Sequence, residues 1–555
     1  MFTSGFVLLC LLSTVRCGYR QDDTEESEWT WLDTDPIVKS PQGQFTGVAR
    51  LFSHDDLEGD WLVHVYMGIP YAEPPIGELR FQPPKAKVPV GDWDATYFRE
   101  VCPQLSLPVF ESQATDENCL YLNIFVPQSS EAVASKKAVV IWMHGGAFYI
   151  SSGSAPEHDG TVMSALGNII VVTINYRLGP LGFLSTGDEV ATGNYGLLDQ
   201  RQAIIWVREN IEAFGGDIDR ITVMGESAGA ASIGLHLLSH GSRGLFKRAI
   251  MQSGSGHSPW AIVPSSEVAR KRSFALGELV GCSHTTTSQL IQCLRQVPAD
   301  SLVQAQLLVT NKTGEAKNAI AFTPIVDGVF LADTPTNLFE QKNPVNQADI
   351  LIGSNADEGT MSLLFMFPHL SNITNPVINH TIFDHVTPQI IYNNHNSLIL
   401  ESIKFMYTDW NTADSEHTNY FQSLSQMSGD ESFTCPADLF AKQYFERGNT
   451  VYMYHFSHHP STSIYNTSWL GASHAEEIPF VFGWHFHRHM DMVYKPEEFY
   501  LSLYILSYWT SFIKTGNPTT YMEGQRTPDI PEWPPFTVPD LQYKICRLAW
   551  KPDEH

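Results

Sequence analysis

The chain has 555 residues, is 43% apolar, and carries 34 Lys and Arg against 60 Asp and Glu, a formal charge of -26. That size and apolar content exclude a disordered or fibrous protein and provide for a large buried core. The negative balance excludes nucleic acid and anionic membrane surfaces as main partners, because their phosphates would be repelled; neutral or cationic small molecules remain.

The first element is the short apolar run at residues 6–15, followed by a polar stretch. It reads as a signal peptide over residues 1–17, with an acidic segment at 18–36 behind it, and so as a secreted protein. No later stretch reaches the length of a membrane-spanning helix. Cleavage after Cys17 leaves Cys102, Cys119, Cys282, Cys293, Cys435 and Cys546. An even number in an oxidising compartment predicts three disulfides. Proximity favours Cys102 with Cys119 and Cys282 with Cys293, which leaves Cys435 for Cys546. Asn311, Asn372, Asn379 and Asn466 head usable glycosylation sequons, whereas Asn517 is blocked by Pro518.

Residues 37–72 read as β-rich. Short apolar runs rich in β-branched residues predict buried strands at 138–143, 169–175 and 221–224, with further strands at 249–252, 350–353 and 451–456. Residues 194–214 have helical spacing and stop at Gly215 and Gly216. Residues 368–395 read as an irregular excursion. Strand and helix alternate, so the expected class is α/β: a large, mostly parallel central sheet flanked by helices, with long helical insertions, in one domain over residues 37–550.

Chemistry concentrates at Gly225-Glu-Ser-Ala-Gly229, which follows the strand at 220–224 and precedes a run of helix formers. A nucleophile at the end of a strand must turn sharply to expose its oxygen, and flanking glycines let strand and helix approach. Ser227 is therefore the candidate nucleophile of an acyl-transfer site. Its oxyanion needs amide donors aimed in advance; His144-Gly-Gly-Ala-Phe148 leaves the 138–143 strand and offers Gly146 and Ala147, with Ala228 as a third. The base and its orienting acid are expected later in the chain. Asp357 and Glu358 share the turn after the 350–353 strand, and His458, His459 and His474 all follow the 451–456 strand. Spacing leaves each set open.

Four motifs resemble the type-B carboxylesterases, a family that includes the cholinesterases and bile-salt-activated lipase. They are Glu117-Asn-Cys-Leu-Tyr-Leu-Asn-Ile-Phe-Val-Pro127, Asn175-Tyr-Arg-Leu-Gly179, Gly225-Glu-Ser-Ala-Gly-Ala230 and Trp509-Thr-Ser-Phe-Ile-Lys-Thr-Gly-Asn-Pro518. The resemblance runs from about residue 41 to 518. It implies an α/β-hydrolase fold, Glu358 as the acid, His474 as the base, and the cysteine pairing above. It also implies structural ion pairs of Arg80 with Glu117 and Arg177 with Asp199, and an acyl-pocket role for Trp260. Glu226 and Ser253 are candidates for support behind the reacting groups.

The expected activity is hydrolysis of carboxylic esters of small-molecule or lipid type through an acyl-enzyme on Ser227, without cofactor or metal. Choline specificity is the alternative. Against it, the 103–118 loop has no Trp, Met361 and Ser362 follow the acid where cholinesterases place phenylalanines, and Asn318 and Ile320 stand in the acyl-pocket segment. Catalytically silent adhesion relatives lose triad residues, and all three positions are filled here. His485, His487 and His489 alternate and His236 and His240 sit one helical turn apart, but neither set has the Glu of an H-E-x-x-H site.

Overall fold

The computed structural model describes residues 30–32, 35–106, 113–128, 135–315, 319–341, 346–391, 396–413, 415, 417–465, 467–486, 494–520 and 531–548. The signal peptide, most of the acidic segment, Asn318, Asn466, His487 and His489 lie outside the described residues.

Fourteen strands form two sheets among these residues. The small sheet contains β2 (Ile37–Ser40), β3 (Gly43–Thr46) and β6 (Gly91–Asp94). The large one has eleven strands in the order β1-β4-β5-β7-β9-β8-β10-β11-β12-β13-β14. Its antiparallel end contains β1 (Thr30–Leu32), β4 (Val48–Ser53), β5 (Asp60–Pro70) and β7 (Tyr121–Pro127). The other seven run parallel: β8 (Lys137–Met143), β9 (Ile170–Ile174), β10 (Gly216–Glu226), β11 (Arg248–Gln252), β12 (Asp349–Asn355), β13 (Val451–Phe456) and β14 (Lys544–Cys546).

Parallel strands are buried on both faces, which is why the sequence shows continuous apolar runs rather than alternation. On β8, Val139, Ile141 and Met143 enter one core, while Ala138, Val140 and Trp142 enter the other. On the first face lie α1 (Tyr195–Asn210), α2 (Ala228–Leu238) and α4 (Cys435–Phe445), the last through Phe440, Ala441 and Tyr444. Before α4 comes α3 (Phe421–Gly429). The second face is covered by α5 (Pro496–Thr515), through Ile505, Trp509 and Phe512. The expected mostly parallel, helix-covered sheet is what the chain forms.

Two expectations need correction. Residues 368–395 are helical rather than irregular where described, with a 3-10 turn at Pro368–Asn372 and a helix at His380–Ile390. Asn379 caps that helix by accepting from the Ile382 amide at 3.0 Å, and Phe383, Val386, Thr387 and Ile390 form its buried stripe. Cys102–Cys119 and Cys282–Cys293 are bonded, but Cys435 and Cys546 are free. The sheet separates them. Cys546 pairs with Phe456 and sits in the α5-side core, whereas Cys435 starts α4, which packs on the opposite face.

Both ion pairs are formed. Arg80 Nε donates to Glu117 at 2.7 Å and its Nη1 to the carbonyls of Leu294 and Val297. Arg177 donates to Asp199 from its amide, Nε and Nη2 at 2.7–3.1 Å, with both side chains buried. Arg177→Met leaves the Asp199 carboxylate buried and unpaired, so it is expected to cost about 3–5 kcal/mol of stability in denaturant unfolding. A loss below about 1 kcal/mol would show that the pair is not structural in this sense.

Candidate active site

Ser227 is the single residue between β10 and α2, at φ 53° and ψ -118°. A non-glycine residue there stores roughly 1–3 kcal/mol of strain and persists only where its surroundings dictate the conformation. The Ser227 amide donates to Gln252 O on β11 at 2.8 Å, and Ser227 O accepts from the Ala231 amide at 2.9 Å. The glycines are imposed by the neighbouring strand: a Cβ at Gly229 would stand 1.9 Å from Met143 O, and one at Gly225 2.6 Å from the same oxygen. Serine at 227 is thus displayed by a turn that admits no side chain on its inner flanks.

The loop leaving β8 lies against this turn. A Cβ at Gly145 would meet Glu226 Oε2 at 2.4 Å and Ser227 Cβ at 3.1 Å. Gly146, Ala147 and Phe148 follow with positive φ of 94°, 53° and 65°. Among the described residues, the amides of Gly146, Ala147 and Ala228 donate to no protein acceptor. His144 is buried and stacks on Tyr176 at 4.3 Å; burial pushes its pKa down to about 3, so it is neutral.

His474 lies in the turn that precedes the helix Ile478–Phe482. Its Nδ1 is 2.6 Å from Glu358 Oε2 and its Nε2 is 2.9 Å from Glu226 Oε1. Burial pushes against a charged imidazole, but Glu226 and Glu358 outweigh it, and the pKa stands well above the ordinary histidine value. Glu358 Oε1 accepts from the Asn355 amide at 2.8 Å. The two acids left open by the sequence separate here: Asp357 ties the turn together, its Oδ2 accepting from the Ala472 amide at 2.9 Å, while Glu358 reaches the imidazole. The histidines separate too. His458 bonds Glu498 at 2.8 Å, and His459 is exposed.

Sequence reasoning missed Glu477, Gln252, Asn355 and Phe433. Glu477 accepts from Gln252 Nε2 at 3.0 Å and Asn355 Nδ2 at 2.7 Å, and burial, then Glu226 and Glu358, push it up to about 7. Glu477 could have been flagged from its place three residues after His474. Phe433 could not: it sits on a π-helical turn, Asp430–Thr434, between α3 and α4. That turn lays Phe433 against His474 at 4.3 Å and against Trp260 at 5.8 Å. Trp260 Nε1 donates to Ser432 O at 3.0 Å, and Phe148 completes an aromatic corner at 6.2 Å from Trp260.

Ser253 follows Gln252 with a φ of 52°, and its buried Oγ has no partner among the described residues. His236 is turned away from metal chemistry by bonds to Ser242 Oγ at 2.8 Å and Gln200 Oε1 at 3.0 Å. Asn311, Asn372 and Asn379 are exposed. Met361 and Ile320 are half-buried against the core on the α1, α2 and α4 face.

Residues 34–552 match the model of the carboxylesterase family, and the chain belongs to that family. It is 36% identical over 514 residues to an acetylcholinesterase of Bungarus fasciatus, covering 90% of this chain and 81% of that protein. It is also 36% identical over 529 residues to neuroligin-3 of Mus musculus, covering 87% of this chain and 62% of that one.

Since Glu226 raises the His474 pKa, Glu226→Gln is expected to lower it. Titration of the His474 imidazole by NMR checks this, and an unmoved midpoint would remove Glu226 from the electrostatics of the site.

Proposed function

We propose that this protein is a secreted serine hydrolase that cleaves carboxylic esters through an acyl-enzyme on Ser227. The observation that carries the reading is the 2.6 Å bond between His474 Nδ1 and Glu358, opposite a serine held in a strained strand-to-helix turn. Membership of the carboxylesterase family supports it. Identity does not choose between the two relatives, which match equally well at 36%. The filled serine, glutamate and histidine positions favour hydrolysis.

In this reading His474 takes the proton from Ser227 Oγ as the oxygen attacks the ester carbonyl. Glu358 fixes the imidazole tautomer and stabilises the imidazolium that forms. The free amides of Gly146, Ala147 and Ala228 take the oxyanion; they owe nothing to other acceptors and need no reorganisation. His474 then returns the proton to the leaving alcohol, and water repeats the sequence on the acyl-enzyme. In the resting site Nε2 faces Glu226 at 2.9 Å and the imidazole favours its charged form, so the cycle begins when His474 releases the Nε2 proton to solvent and turns toward Ser227 as a neutral base. Trp260, Phe433 and Phe148 form an apolar wall beside the imidazole that suits the acyl group.

Neutral esters fit better than choline esters. The loop closed by Cys102 and Cys119 contains no Trp to face a quaternary ammonium, and Met361 and Ser362 follow the acid. Secretion is supported by the leader at residues 1–17 and by the two disulfides, which persist in oxidising compartments.

Ser227→Ala is expected to reduce hydrolysis of a p-nitrophenyl ester by about 10⁴-fold or more, with loss of phosphonate labelling. Full activity in that variant would end the proposal. A panel of acetyl, butyryl and longer acyl esters tests specificity. Neutral esters are expected to exceed choline esters of equal acyl length, and the reverse order would make choline the substrate class.

A further inference from the structure

His474 has a second set of contacts that the proton transfers do not use. Its backbone carbonyl accepts from Tyr465 Oη at 2.9 Å, and Tyr465 is half-buried. The next residue, Ala475, has a φ of 68°, a left-handed conformation that a side chain bearing Cβ adopts at a cost. After it, Glu476 is fully buried and accepts from Ser463 Oγ. Ser463 Oγ also accepts from the Tyr465 amide at 3.1 Å, so one short loop grips the strained turn at two successive points around Ala475. The far end of the loop is anchored to α5: the Ser461 amide donates to Glu498 at 2.7 Å, Ser461 Oγ donates to its other oxygen, and His458 bonds it at 2.8 Å.

The opposite side of the turn is tied to the segment that bears the acid. Asn355 Nδ2 donates to Ser473 O at 2.7 Å, and Thr360 Oγ1 lies within hydrogen-bond distance, 2.8 Å, of both Leu470 O and Ser473 Oγ. Those bonds fix the turn relative to Glu358. The Ser463–Tyr465 side opposes them. Without it, the left-handed Ala475 could relax toward ordinary backbone angles and carry the imidazole with it.

We propose that the loop from Ser461 to Tyr465 is a strap that sets the position of the imidazole, with Tyr465 and Glu476 as positioning residues for His474. The strap rests on the reading of His474 as the base. Burial pushes the Glu476 carboxyl up to about 8, so it is neutral at pH 7 and glutamine reproduces both its shape and its charge.

The test uses the full-length protein. Kinetics on p-nitrophenyl acetate are normalised to sites titrated with a phosphonate, which removes unfolded material from the count. Tyr465→Phe and Glu476→Ala are each expected to lower kcat per titrated site by about 10- to 100-fold with KM nearly unchanged, because a small misplacement of the base acts on the chemical step. Glu476→Gln is expected to recover most of what Glu476→Ala loses. The proton on His474 Nδ1, held at 2.6 Å from Glu358, gives a far-downfield proton NMR signal that is expected to move in Tyr465→Phe and Glu476→Ala. Wild-type kcat per titrated site together with an unmoved signal would overturn the strap, and so would a loss that vanishes on normalisation. A wild-type protein inactive on every ester would overturn the proposed function instead, and the NMR signal would then decide the strap alone.

Discussion

The structure depends on one constraint: β10 must become α2 within a single residue while pressed against the carbonyl of Met143. A Cβ at Gly229 would stand 1.9 Å from that oxygen, so the turn closes only with glycine there, and the Gln252 carbonyl takes the amide that the turn exposes. Everything else at the site follows from which strands lie beside β10. The order β8-β10-β11-β12-β13 puts the carboxyl ends of five parallel strands side by side. The loop at 144–148 leaves β8, Gln252 ends β11 with Ser253 just after it, Asn355 ends β12 with Glu358 in the turn that follows, and the chain after β13 leads to the turn of His474. Residues more than two hundred positions apart meet because the sheet is parallel and every strand delivers its carboxyl end to the same edge.

What gathers at that edge is an imidazole among carboxylates. Glu358 and Glu226 hold its two nitrogens, and Glu477 stands behind them with bonds to Gln252 and Asn355. Burial opposes each charge, so the cluster survives only because every member has donors or an opposite charge facing it. Glu477, pushed up to about 7, moderates the total: near neutral pH it carries only part of its charge. The result favours a charged imidazole, the form that the proposed transfer of a proton from Ser227 to His474 would produce. Phe433 closes the cluster against water on one side, which strengthens each of these interactions.

The sheet and the serine turn were legible because their signals are local. Runs such as 138–143 must be buried on both faces to make sense, and a serine between glycines at the end of such a run has one structural use. Partners in space were harder. Asp357 and Glu358 are neighbours on one turn, and no spacing rule says which reaches His474; the chain's path across the Ala472 amide decides it. Proximity paired four cysteines correctly and failed for Cys435 and Cys546, because counting residues ignores a sheet that comes between them. Phe433 had no signature at all, since its direction is set by a π-turn whose sequence looks like ordinary helix.

The motif at 509–518 shows how fold signal and site support coincide in this chain. Trp509 touches neither Ser227 nor His474, yet its Nε1 donates to Gln252 Oε1 at 3.0 Å. Gln252 in turn gives its carbonyl to the Ser227 amide and its Nε2 to Glu477. One buried indole therefore fixes the amide side chain that joins the Ser227 turn to the carboxylate cluster. At the other end of the same helix, Glu498 anchors the loop that grips His474. Eleven residues of α5 separate these two points, a span of about 16 Å at 1.5 Å per residue. A rigid helix of that length keeps the supports of the serine and of the histidine at a constant separation. Trp509, which belongs to a motif that identifies the fold, thus holds one end of the distance on which the chemistry would depend.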